Sequence, residues 1–295
     1  MAEKLDMTVS SNQEELQLIH IKPGEPYGAF APLMPDDLIG MEGLFAIGVA
    51  AREDDAYYAA GIMTLSIDAE EKALYLNWLF VDEAFRDRGI AQMLLEKIDD
   101  HAKMIHAKYL LTDVATTPEG ESLKEFLESQ EFTFEVAVRP EYRLLVGNAK
   151  DSLGVDPVKV PDSIESCTDI PVGMLGDFLN EVMPEEPMEV IRVVHLHKQC
   201  SYAVVRNGRI DALLAVTTFP AGSLRMRLMR RKNVDLSRDV LPLLQSSAFQ
   251  LMKHYASDQV VRVVCPKEDF RALINYLFPG VNPFYVWRGM RETVE

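Results

Sequence analysis

The stretch Val81-Asp-Glu-Ala-Phe-Arg-Asp-Arg-Gly-Ile-Ala91 constrains this chain more than any other. Before it, Ala73 to Val81 is dense in Leu, Tyr, Trp, Phe and Val, the composition of a strand. After it, Ile90, Leu94, Ile98, Ala102 and Ile105 recur at helical spacing between about Gly89 and His106 and make one apolar face. A strand therefore hands over to a helix across a turn in which Gly89 and Ala91 are small enough for a ligand to reach the main chain. The first amides of that helix have no carbonyl behind them and lie at the positive end of its dipole, which suits a phosphate. The spacing is not that of the glycine-rich dinucleotide turn, and no Gly-Lys-Ser/Thr follows for a P-loop.

Length and charge narrow the setting. At 295 residues the chain suits two domains, each able to bury a core. Hydrophobic residues make up 48% and charged residues 26%, the profile of a soluble globular protein. A formal net charge of −16 argues against a sequence-independent grip on nucleic acid or an anionic membrane. No apolar run is long enough to span a bilayer. Cys167, Cys200 and Cys265 are too sparse for a disulfide framework, and Met-Ala-Glu-Lys-Leu-Asp at the start carries no signal peptide, so a cytoplasmic location is expected.

The order of elements shows a repeat. A strand is expected at Glu15 to Ile21 and a short helix around Met34-Pro35-Asp36-Asp37, followed by a meander over Leu44 to Ala51, Tyr58 to Ile67 and Ala73 to Val81. After the long helix come a strand at Tyr109 to Val114, a helix at Glu119 to Gln130, and strands at Phe132 to Val138 and Glu141 to Val146. Gly147 to Ser166, with Pro157 and Pro161, is expected to be a linker. The second half runs through a helix at Asp169 to Val182, a hairpin turning at Asn207-Gly208, and a strand at Leu224 to Met229. It ends with a long helix at Val240 to Tyr255, a strand at Val260 to Cys265, a helix at Lys267 to Leu277 and a strand at Phe284 to Arg288. These last four elements each lie half a chain length beyond a counterpart in the first half, which indicates two copies of one fold.

The loop resembles the pyrophosphate loop of the GNAT superfamily of N-acetyltransferases, Gln/Arg-x-x-Gly-x-Gly/Ala after a strand ending in Val. Arg86, Gly89 and Ala91 fill the signature, with Val81 closing the strand. The resemblance implies an α/β (α+β) chain of two tandem GNAT-like domains, each a mixed, mostly antiparallel sheet flanked by helices. Residues 1–148 would bind acetyl-CoA, and residues 149–295 would be a degenerate copy. The tandem form is similar to that of the two-domain mycothiol synthases, without a motif for their substrate. The cofactor would lie where Ala73 to Val81 and Tyr109 to Val114 splay apart. Backbone groups of Leu79, Phe80 and Val81, and the amides of Arg86, Asp87, Arg88, Gly89, Ile90 and Ala91, would hold it. The second copy has Arg-Arg-Lys-Asn-Val-Asp-Leu-Ser-Arg-Asp over residues 230–239, a stretch without glycine that suggests a solvated basic turn. That half is expected to be structural or to shape the acceptor pocket.

The resemblance also implies a reaction, direct attack of a small amine on the thioester, helped by a base and an acid. The usual acid is the Tyr of Leu-Tyr-x-x-x-Gly-Phe; here Leu127 replaces the Tyr and Glu131 the Gly, before Phe132. A common base position holds Asn77, and the Asn often found after the next strand is absent from Thr116-Thr-Pro-Glu-Gly120. Asp113, Tyr142 and Glu121 are substitutes more readily explained as surface or packing residues. No catalytic residue is assigned. Tyr276 keeps the Tyr spacing in the second copy and is expected to pack in the core. His195-x-His197-x-x-Cys200 lacks a fourth ligand and is expected to be solvated, with no metal site. The leading expectation is an acetyl-CoA-dependent N-acyltransferase acting on a small amine. The alternative is a non-catalytic acyl-CoA-binding or interaction protein. The oligomeric state is left open.

Overall fold

The computed structural model describes residues 16–293, except 40, 42, 54–55, 69–71, 137, 154–160, 183–190, 219–223, 232–233 and 266. Strands β1 (Leu16–Ile21), β2 (Phe45–Glu53), β3 (Ala56–Asp68) and β4 (Ala73–Val81) form an antiparallel meander. Two short 3-10 turns, Gly28–Leu33 and Asp36–Leu38, stand where one helix was expected, and Phe30 and Met34 pack them onto the meander. There follow α1 (Ile90–Met104), β5 (Tyr109–Ala115), α2 (Pro118–Ser129), β6 (Thr133–Phe134) and β7 (Arg139–Leu145). The expected strand over Phe132 to Val138 shrinks to β6, and the exposed Val136 and Val138 have no partner surface to bury.

The second half contains α3 (Asn148–Leu153), β8 (Ile164–Ser166), α4 (Val172–Val182), β9 (Tyr202–Arg206), β10 (Arg209–Thr218) and β11 (Leu224–Arg230). It closes with α5 (Leu241–His254), β12 (Val260–Val264), α6 (Glu268–Leu277) and β13 (Phe284–Glu292). α3 and β8 lie inside the stretch expected to be a linker. Ala149, Leu153 and Ile164 are buried in the core of the second half, so α3 and β8 are part of the fold.

The repeat takes an unexpected form. Instead of two separate sheets, the strands make one 13-stranded sheet in the order β1-β2-β3-β4-β5-β13-β7-β12-β11-β10-β9-β8, with β6 beside β13. The last strand of each copy has crossed to the other. β13 pairs with β5 from Val286↔Ala115 to Glu292↔Tyr109, while β7 pairs with β12 from Val260↔Leu145 to Val264↔Glu141. The two exchanged strands meet at Phe284↔Glu141 and Val286↔Arg139. Tyr142 thus belongs by sequence to the first half but is buried in the second core, where its hydroxyl donates to Asn275 Oδ1 at 2.7 Å.

Helices cover both faces. α1 and α2 bury Leu94, Ile98 and Leu127 against β2 to β5. α5 and α6 do the same for the second half with Leu244, Leu251, Phe270 and Ile274. α4 caps the opposite face through Leu175 and Phe178.

The end of α2 carries a conformational cost at the position where the resemblance puts a glycine. Glu131 has φ +66°, the left-handed region, where the family pattern puts glycine. Its amide bonds Glu128 O (3.2 Å) and the Phe132 amide bonds Leu127 O (3.1 Å), the paired closure that ends many helices on a glycine. Glu131→Gly should therefore raise stability by about 1 kcal/mol, read as a shift of the urea midpoint at constant slope. The exchange makes a second prediction. A chain ending at residue 280 lacks β13, and should lose cooperative unfolding of the first half as well as the second in thermal melts followed by near-UV circular dichroism.

Candidate functional site

Parallel pairing of β4 with β5 runs only from Ala73↔Tyr109 to Leu76↔Thr112. Beyond that the strands part. The cause lies on the other edge of β4, where Leu76 faces Leu65 and Trp78 faces Thr64, leaving Asn77 as an extra residue. Such a bulge bends the strand that carries it. The Asn77 amide is tied to Ser66 Oγ (2.9 Å) and Tyr75 O (3.2 Å), which fixes the bulge. Thr112 Oγ1 donates to Leu76 O at 3.0 Å at the point of parting. The opening is a cleft of about 560 Å³ walled by Trp78, Phe80, Asp113, Ala115 and Leu123. Asp82 N donates to Ala60 O on the β3 side. By the two-residue period of the ladder, Leu79 and Val81 turn their peptide groups the other way, toward the cleft.

The loop above the cleft is held from within. The Asp82 carboxylate accepts from the Ala84 amide at 2.9 Å and starts a turn over Glu83–Phe85, which buries Phe85. Arg88 turns back to clamp this turn, donating to Glu53 Oε1 and Ala84 O at 3.0 Å each and stacking 4.9 Å over the Phe85 ring. Arg86 instead lines the cleft, its Nε donating to Val81 O at 3.4 Å. Asp87 and Gly89 adopt φ +62° and +75°. Gly89 precedes α1, whose first internal bond runs from Met93 N to Gly89 O (3.0 Å), so the amides of Ile90, Ala91 and Gln92 come before the ladder begins. Ile90 is buried, and a Cβ on Gly61 would lie 2.9 Å from its Cγ2, so Gly61 lets the helix start sit close to β3.

Leu79, Phe80, Val81 and Arg86 thus line the cleft, and Gly89 and Ala91 stand at the helix start. The side chains of Asp87, Arg88 and Ile90 point elsewhere, to solvent, to the clamp and to the core. One lining residue was not anticipated. Gly120 sits where a Cβ would be 1.8 Å from Ala115 O, so only glycine lets α2 begin against the end of β5. Its signal in the sequence is Thr117-Pro118-x-Gly120, a helix start in which the Thr117 hydroxyl accepts from the Gly120 amide at 3.1 Å.

The candidate acids and bases are placed differently from the family pattern. Leu127 is fully buried beneath α1, and α2 presents Glu119, Ser122 and Leu123 to the cleft instead. Asp113 is in the cleft wall but receives Arg288 Nε (2.8 Å), Arg288 Nη2 (3.0 Å) and Arg225 Nη2 (2.6 Å). Burial alone would raise its carboxyl, but Arg288 and Arg225 hold it far below the usual range, so it is a fixed anion. Glu121 is exposed on α2. Tyr276, expected in the core, is 81% exposed, because the buried stripe of α6 passes through Phe270 and Ile274 on the other side. The ring of His197 packs 6.0 Å from His254 and 5.7 Å from Tyr255, and Cys200 is fully buried.

The corresponding region of the second half is closed by the protein's own charges. In the helical turn Leu236–Val240 that leads into α5, Asp235 Oδ1 accepts from the Arg238 amide at 2.7 Å, and buried Asp239 accepts from Asp235 N at 3.1 Å. Carboxylates of the chain itself thus stand where a phosphate would sit. Nor are Arg230 and Arg231 free in solvent. Arg230 pairs with Asp269 at the start of α6, and Arg231 pairs with Glu181 and donates to Ile210 O at 3.0 Å.

Residues 16–132 match the model described as Acetyltransferase (GNAT) family. The likeness to that family rests on this first part of the chain. Solved structures extend the likeness in fold to the whole length. A tandem GNAT protein from the clavulanic acid biosynthesis pathway, solved without acetyl-CoA, is 14% identical, with 95% of this chain and 99% of that one covered at a TM-score of 0.51. A GCN5-related N-acetyltransferase from Sphaerobacter thermophilus is 15% identical, covering 94% and 96% at 0.53. A glucosamine N-acetyltransferase region of a fungal multi-domain β-N-acetylglucosaminidase is 12% identical, covering 95% of this chain and 38% of that one at 0.59. Comparison with curated proteins returns no match.

The self-capped helix gives a pH-dependent prediction. Hydrogen bonds from Arg238, against the pull of burial, and from Arg206 hold Asp239 at about 2. A depressed carboxyl contributes stability above the unfolded value of about 4 and loses it as pH falls toward 2. Asp239→Asn should therefore cost about 2 kcal/mol at pH 7, and urea melts should show the gap to the parent closing between pH 4 and pH 2.

Proposed function

We propose that this protein is an acetyl-CoA-dependent N-acyltransferase whose first half transfers the acetyl group to a small amine. The observation that carries this reading is the asymmetry between the copies. One has an open cleft beneath a helix start free of side chains, and the other has the same place filled by Asp235, Asp239 and the Arg230–Asp269 pair.

The residues present fit the cofactor. Gly89 has no atom within 4 Å of where its Cβ would stand, so the approach to the α1 amides is open. In this reading the amides from Arg86 to Ala91 hold the pyrophosphate, with Arg86 contributing its charge from the cleft wall. The peptide groups of Leu79 and Val81 hold the pantetheine arm, and an amide there donates to the carbonyl oxygen as charge builds on it. Acetyl-CoA supplies the activated thioester. The chain supplies orientation, and this reading assigns no described cleft residue to the family tyrosine's role: Asp113 is locked in ion pairs, and the amide of Asn77 is spent on the bulge. Proton transfer then falls to water and to the amine itself, so turnover should be slow and should rise with pH as more acceptor becomes neutral.

Two measurements test this. Gly89→Glu adds bulk and charge at the helix start and should weaken acetyl-CoA binding at least a hundredfold by calorimetry, with the circular dichroism spectrum unchanged. Undiminished affinity in the folded variant would remove the cofactor assignment. Thiol release across a panel of amines between pH 6 and pH 9 then separates enzyme from binder. Tight binding of acetyl-CoA without release from any amine would make the protein a non-catalytic acyl-CoA binder.

A further inference from the structure

The sheet bends sharply where the two halves meet. β5 and β11 are four places apart in the strand order, roughly 19 Å in a flat sheet at about 4.8 Å per strand. Yet Arg225 on β11 donates to Asp113 on β5 at 2.6 Å. The strands between them therefore curl into a trough. On its inner face Arg225, Arg262 and Arg143 stand directly opposite one another across β11, β12 and β7. Glu141 and Arg288 complete the lining, and Asp113 belongs to both the trough and the cleft.

This arrangement is electrostatically uneven. Like charges placed opposite one another on adjacent strands repel, and partial burial sharpens the effect. Arg225 is balanced by Asp113 and, at 3.6 Å, by Glu141. Arg262 makes no ion pair of this kind among the described residues, and feels Glu141 and Asp113 only as charges at longer range. Burial, and then the charge of Arg225, weaken its hold on its proton. Glu141 is 1% exposed, and its Oε2 has no hydrogen-bond partner. The trough thus contains a cation in want of an anion and a buried acceptor in want of a donor, beside the opening where an acyl group would emerge.

Resting on the acetyl-transfer reading above, we infer that this trough is the acceptor pocket and that it selects a small amine bearing an anionic group, a carboxylate or a phosphate. Arg262 takes the anion, supported by Arg225, and Glu141 Oε2 accepts from an N–H or O–H of the same molecule. The second half, which closed its own cofactor site, contributes Arg225 and Arg262, and so sets the specificity of the first.

Calorimetry on the full chain without acetyl-CoA tests this, with β-alanine, phosphoethanolamine and the neutral propylamine as probes. At least one anionic amine should bind ten times or more tighter than propylamine. Arg262→Gln should abolish that advantage, Arg262→Lys should keep part of it, and both should bind acetyl-CoA as the parent does. Should Arg262→Gln fail to fold, inorganic phosphate added to the parent decides: erasure of the anionic amine's advantage supports the pocket, and no competition overturns it. Equal binding of all three amines, no binding of either anionic one, or an unchanged preference in folded Arg262→Gln also overturns it. A protein that does not bind acetyl-CoA but keeps the Arg262-dependent preference would refute the transferase reading while leaving the anion site standing.

Discussion

The candidate site depends on two parallel strands failing to stay together. Hydrogen bonding would favour continued pairing of β4 and β5 past Leu76 and Thr112, since every unpaired peptide group buried in a sheet is costly. The extra residue at Asn77 turns β4 aside, and the Asn77 amide, fastened to Ser66 and Tyr75, holds it there. The peptide groups released at Leu79 and Val81 face the cleft instead. The same bend delivers the chain into the loop that starts α1, so cleft and helix start are set by one local irregularity.

The second copy shows what happens when that arrangement is no longer used. Its meander, long helix, strand and short helix keep their order, but in the turn that leads into α5 an amide is met by Asp235, and the amide of Asp235 by Asp239. A carboxylate from the chain itself satisfies such an amide without a ligand.

Much of this was legible in the sequence, for reasons that can be named. The strand-to-helix junction was readable because Gly89 and Ala91 sit between a strand of period two and a helix of period 3.6, all within one short stretch. The register of α2 was readable too, since Glu131 takes the backbone conformation of the glycine it replaces. The exchange of β7 and β13 was not, because a strand's pattern records that it has a buried face but not which neighbour it pairs with. Tyr276 misled for a related reason: its spacing matched a motif, but the helical stripe through Phe270 and Ile274 leaves it in solvent. The bulge at Asn77 left no trace in composition, and the charges of the trough lie far apart in sequence, joined only by the curl of the sheet.

The exchange of final strands bears on how the chain is made as well as how it stands. Synthesis proceeds from the amino terminus, and domains generally fold in the order they emerge. Here the first half cannot close when its own last residue appears, because the partner of β5 is β13, which is made last. Until then β5 offers a bare edge in the middle of the future sheet, and β7 has no β12 beside it. An unpaired edge of this kind invites pairing with another chain. Nascent copies crowded on one message would present each other with the same complementary edges. The net charge of −16 makes such copies repel one another.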